Sequence, residues 1–141
     1  TTKTKLKGNE AIITTFMGSD WQAAAQRLAV RVLKQESEIL LLQRLQQLAN
    51  KHSFQYSEVK IAKMRSRWGS CNSQKLITLN CFLIQLPWHL IDYVLLHELV
   101  HTEIMAHDET FWARLTQLVP DAKTRRKELK THHTQIQTVH A

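Results

Sequence analysis

The chain has 141 residues and a mass of 16.5 kDa, a size that gives one domain, residues 1–141, and leaves no room for a second. With 43% hydrophobic residues, 3 Gly and 2 Pro, its composition excludes collagen-like, mucin-like and disordered low-complexity chains; two cysteines, Cys71 and Cys81, exclude a disulfide framework. The formal net charge of +7 favours anionic partners without specifying a fold. No stretch reaches the roughly 20 apolar residues that span a bilayer, so the reading is no membrane and a reducing, cytoplasmic setting.

The opening Thr1 to Gly8 is polar and basic, and Ala11, Ile12, Ile13 and Phe16 offer at most a short strand before a turn at Gly18, Ser19 and Asp20. From Trp21 to about Lys51 there is no Gly or Pro, and Leu28, Val32, Leu41, Leu45 and Leu48 recur near helical spacing. This predicts a long helix with Asp20 as its N-cap, or two helices broken near Lys34 to Glu38. Tyr56, Val59, Ile61 and Met64 then suggest a strand, Gly69 to Cys71 a hinge, and Leu76 to about Leu83 a second strand, together an irregular hairpin. Pro87 suits the first turn of a helix with an apolar face of Ile91, Val94, Leu95 and Leu99. Asp108 can cap a further helix carrying Phe111, Trp112, Leu115 and Leu118, and Pro120-Asp121 starts a basic helix to about Lys130. The tail with His132, His133 and His140 has weak periodicity and is expected to be exposed.

Within the helix begun by Pro87 stands His97-Glu98-Leu99-Val100-His101. Four residues advance a helix by about 6 Å and a little over one turn, so both imidazoles leave one face and can address the same ion. Zinc accepts neutral imidazoles and, with three protein ligands, keeps a position open for water. Glu98, about 100° around the helix from His97, can take that water's proton. A third ligand is best sought at His107. Were the helix to continue, His107 would point about 240° away and some 9 Å further along, so the chain must turn back. Ile104 stands where the metzincin pattern has its glycine, so this turn must manage without one. Asp108, Glu109, His132 and His133 are weaker candidates.

Arg65-Ser66-Arg67-Trp68-Gly69-Ser70-Cys71, then Ile77 to Asn80, Leu86-Pro87, Asp92-Tyr93-Val94, the His97 to His101 motif, His107 and Phe111-Trp112 together resemble the YgjP-like metallopeptidase family, related to SprT-type minizincins at the level of the zincin fold. The resemblance is dense from Arg65 through Trp112. It implies a small zincin-like α+β domain whose active-site helix packs beside a short β-sheet. It further implies one Zn²⁺ held by His97, His101 and His107, Glu98 as the catalytic base, and a peptide or protein substrate. Many relatives carry a larger N-terminal β portion, of which residues 1–20 would be a remnant.

Arg65 and Arg67 can meet a substrate carboxylate or a tetrahedral oxyanion, or serve in solvated ion pairs. Cys71 reads as a small buried side chain, with metal ligation or a disulfide to Cys81 as further options. Phe111 and Trp112 are expected to dock their helix behind the metal site. Lys123, Arg125, Arg126, Lys127 and Lys130 form a basic run with no nucleic-acid reading motif, suited to weak, nonspecific nucleic-acid binding. The resulting expectation is a zinc metallopeptidase. The alternatives are a nucleic-acid-associated metalloprotein and a zinc-stabilised binding module without catalysis.

Overall fold

The computed structural model describes residues 20–135; the expected strand at Ala11 to Phe16, the N-terminal remnant up to Ser19, and His140 lie outside them. The uninterrupted helix-forming sequence after Asp20 produces a single helix, α1, Trp21–His52, with no break near Lys34 to Glu38. Its second half carries the buried positions Ser37, Leu41, Leu45, Leu48 and Ala49, a stripe at the three- and four-residue spacing that keeps one face toward a core. Asp20 occupies the N-cap position but makes no side-chain cap. The helix ends where Ser53 enters the left-handed region at φ 61°, letting the Phe54 N–H return to the Ala49 carbonyl.

Three short strands follow: β1, Glu58–Ala62, β2, Gly69–Cys71, and β3, Leu76–Asn80. Their order is β1-β3-β2, and this corrects the expected hairpin. β1 and β3 run parallel, with Val59 opposite Ile77 and Ile61 opposite Leu79, while the supposed hinge is itself a strand, antiparallel to β3 with Gly69 opposite Leu79. The physical reason lies in β3, whose Ile77 and Leu79 are fully buried and which therefore takes the centre, between two less buried neighbours. The actual reversal is Asn72 to Lys75: the Asn72 side chain accepts from the N–H groups of Gln74 and Leu76, and Lys75 turns the chain at φ 65°.

β3 also ends earlier than expected. Asn80 accepts from the Phe82 N–H and opens a 3-10 turn, Cys81–Gln85, so Cys81 to Leu83 are not strand. Next comes α2, Trp88–His101, with Pro87 as its N-cap rather than inside its first turn. Leu90, Ile91, Tyr93, Val94, Leu95, Leu96, Leu99 and Val100 are all buried, so α2 is a central helix covered on most sides. Around it pack α1, β2, and two short helices, α3, Glu109–Leu118, and α4, Ala122–Leu129. Among the described residues the result is four α-helices about a small mixed sheet, the expected α+β arrangement with the motif-bearing helix beside a short sheet. Among the described residues, no helix is long and apolar enough to cross a membrane.

Candidate metal centre

His97 and His101 project from the last turn of α2, of which His101 is the final residue. The chain then folds back without a glycine, as the Ile104 substitution requires: the N–H groups of Glu103 and Ile104 both return to the Val100 carbonyl, at 3.0 and 2.9 Å. No residue in this turn has a positive φ. The reversal brings His107 back, and the ligand atoms of His97, His101 and His107 all lie within 4.8 Å of one another.

One proton in this group is placed by its partner. The Ile104 carbonyl, 2.9 Å from His101 Nδ1, can only accept, so Nδ1 carries hydrogen and Nε2 of the neutral ring presents its lone pair. His107 Nε2 lies 2.9 Å from His101 Nε2, so the two rings turn the same nitrogen toward one point. Burial lowers the pKa of both His101 and His107; the Ile104 contact pulls His101 partly back up, while neighbouring His97 lowers both. Neutral imidazole is the form that coordinates a metal.

Phe111 forms the platform beneath the group. Fully buried, its ring stacks on His101 at 4.4 Å between centroids and meets His97 and His107 edge-on at 4.9 and 5.0 Å. Asp108 sets this position by capping α3, accepting from the Phe111 N–H at 3.0 Å. That accounts for Asp108, which is not among the converging groups, and neither are Glu109, His132, His133 and Cys71.

Glu98 is 5% exposed and is pressed against β2. Its Oε2 lies 3.3 Å from His97 Nδ1. It borders two hollows: one shared with the three histidines, Cys71 and Met105, and a larger cleft of about 410 Å³ between the Ser66 to Gly69 segment and α4. Arg67 borders both, whereas Arg65 faces a separate hollow beside His133 and Thr134. Thr134 donates its hydroxyl to the Arg65 carbonyl. The two cysteines are free; burial, with the nearby Glu98 charge adding to it, pushes the Cys71 thiol up to about 11, far from a reactive thiolate.

The basic run does not form one surface. Arg125 turns away, donating to the His89 carbonyl at 3.0 Å and pairing with Asp121. Arg126 lies over the Trp112 ring at 5.2 Å, and it and Lys130 line the cleft beside Glu98 with half-buried His132. Lys123 and Lys127 are exposed. Asn80, which the sequence marks only as part of the resemblance, has a structural role: buried, it donates to the carbonyls of Met64 and Arg67 at 2.9 and 2.7 Å, fixing the loop that carries Arg67. The signal for it was a polar residue ending the apolar alternation of β3.

An α+β domain with a buried glutamate beside three converging histidines has the construction of a metallopeptidase. The YgjP-like metallopeptidase domain matches residues 2–132, and the chain belongs to that family. Among solved structures it is similar to the metallopeptidase zymogen of Pyrococcus abyssi abylysin, with a TM-score of 0.55 and 24% identity over 62% of this chain and 89% of that one, a likeness of fold. A search of curated proteins finds no match.

Proposed function

We propose that this chain is a zinc-dependent metallopeptidase hydrolysing peptide bonds in peptides or proteins, with one Zn²⁺ held by His97, His101 and His107. The observation that carries the reading is the convergence of three imidazoles, all within 4.8 Å, beside a buried carboxylate. The donor set fits the metal: three nitrogen ligands, two of them with pKa values lowered chiefly by desolvation, are a zinc hydrolase's complement. Bound there, zinc would supply Lewis acidity toward the scissile carbonyl and a water of lowered pKa.

The chain's own residues supply the rest. Ile104 holds the His101 ring by its Nδ1–H, fixing which nitrogen faces the group. Glu98, bordering both the histidine hollow and the cleft, accepts the attacking water's proton and delivers it to the departing amine. Arg67 borders the same two spaces and offers a cation to the negative oxygen of the tetrahedral state. The free thiols of Cys71 and Cys81 accord with a cytoplasmic setting.

The test is Glu98→Gln, measured for zinc content and turnover on the same sample. Gln keeps the shape and loses the proton acceptor, so zinc should stay stoichiometric while hydrolysis falls at least about a hundredfold. Full turnover with zinc bound would remove Glu98 from the mechanism. Stoichiometric zinc with no hydrolysis by the parent protein, across a broad panel of unstructured substrates, would favour a zinc-stabilised binding module.

A further inference from the structure

The larger cleft has a chemistry of its own. Its floor is apolar, formed by Trp68, Tyr93, Val94 and Leu129, and three permanent cations, Arg67, Arg126 and Lys130, stand around it. Glu98 is, among the described residues, the only carboxylate lining it. Among the described residues, the side chains of these three cations make no ion pair and no hydrogen bond. This is unlike Arg44, clamped on Asp92, and Arg125, held by Asp121 and His89.

Arg126 is also positioned. Its guanidinium rests on the Trp112 ring, and that ring in turn lies 6.1 Å from His107 and 6.2 Å from His97 between centroids. A cation on an aromatic face gives up side-chain freedom in advance, so less ordering remains when an anion arrives. Three like charges around one hollow repel one another, and an incoming negative group relieves that repulsion. Helix geometry produces the arrangement: Arg126 in α4 and Lys130, the residue that caps its C-terminus, are four residues apart and lie on one side, whereas Arg125 lies on another.

Building on the peptidase reading above, we propose that this cleft is a carboxylate-binding subsite, which selects peptides presenting an acidic group on an apolar stem beside the scissile bond. Arg126 and Lys130 act as its specificity-determining residues, with Arg67 at the junction with the histidine hollow. The volume of about 410 Å³ is that of a small-ligand pocket and admits a short segment of chain. The carboxylate can come from a Glu or Asp side chain or from a free chain terminus; both present the same planar anion to the guanidinium fork.

The test separates these sources, and it separates the subsite from the hydrolysis. Binding of short peptides to the metal-free protein is measured by calorimetry at fixed ionic strength, in pairs differing by internal Glu against Gln and by free against amidated C-terminus. At least one substitution of acid by amide should weaken binding about tenfold or more, the combined effect of several part-exposed charge pairs. The pair that responds names the source. In Arg126→Gln/Lys130→Gln that preference should vanish, and in Lys130→Glu it should shift toward the matching Lys peptide. Equal binding of acid and amide in both pairs would overturn the subsite even if the zinc-loaded protein hydrolyses peptides. A preference in binding without hydrolysis would uphold the subsite and overturn the peptidase reading.

Discussion

Gly69 and Glu98 are in contact through the space a side chain would fill: a β-carbon on Gly69 would sit 3.1 Å from Glu98 Cγ and 3.2 Å from its Oε2. The glycine is therefore explained by the approach of β2 to α2 rather than by an unusual turn. Gly69→Ala should push the Glu98 carboxylate by a few tenths of an ångström, destabilise the fold by about 1–3 kcal/mol as overpacking usually does, and lower turnover about tenfold or more because the proton acceptor is displaced. Circular dichroism, zinc content and kcat measured together check this. Unchanged kcat in folded, zinc-loaded Gly69→Ala would show that the position of Glu98 tolerates the shift.

Most helical structure was legible because its information is local. The Leu41, Leu45 and Leu48 spacing, the capping Asp108 and the histidine pair on α2 each depend on neighbours within a few residues. Strand pairing was not: alternation at Val59 and Ile61 marks a buried face but carries nothing about which strand lies alongside, so the parallel β1–β3 register was invisible. The same limit applied to charge. The run from Lys123 to Lys130 read as one basic surface, yet tertiary packing sends Arg125 to His89 and opens Arg126 and Lys130 into the cleft. The motif and its spacing singled out the three histidines and showed that the chain must turn back, and the resemblance implied the same set; neither could show the Ile104 carbonyl that fixes the His101 tautomer.

Asn80 should prove more important than its distance from the motif suggests. Its amide donates to two carbonyls and its oxygen accepts from the Phe82 N–H, all from a fully buried position. Asn80→Asp would place a carboxylate against the Met64 and Arg67 carbonyls, where it cannot donate. A loss of about 2–4 kcal/mol is expected from the unsatisfied groups, read as a lower urea midpoint. Equal midpoints for parent and variant would contradict the role assigned to these bonds.

Phe111→Leu removes the ring on which His101 stacks while keeping the site apolar. Shrinking a buried aromatic costs about 1–3 kcal/mol, less than truncation to Ala. Zinc affinity should fall as well, because the three imidazoles lose the surface that holds their mutual angles. Competition with a metallochromic chelator at neutral pH checks this. Loss of stability with unchanged zinc affinity would confine Phe111 to the core.

Acid should destabilise the metal-free fold through His101 and His107. Burial, the largest influence on each, lowers their pKa values in the fold from the ordinary 6.5, whereas in the unfolded chain both titrate near that value. Above about pH 6.5 both rings are neutral in either state, and their contribution is fully present. As the pH falls below that point, the unfolded chain binds protons that the fold refuses, so stability declines until the lowered folded values are passed. Zinc retention should decline over the same range, since the ligands must be neutral. His52, whose pKa is also lowered, mainly by burial and then by Lys51 and Arg114, adds to the slope from a site apart from the three-histidine group. Urea midpoints between about pH 8 and 5 should therefore slope downward in the parent, less steeply in His52→Gln, and least in His52→Gln/His101→Gln. An equal slope in the single and double variants would show that the buried histidine of the metal group is not what acid attacks.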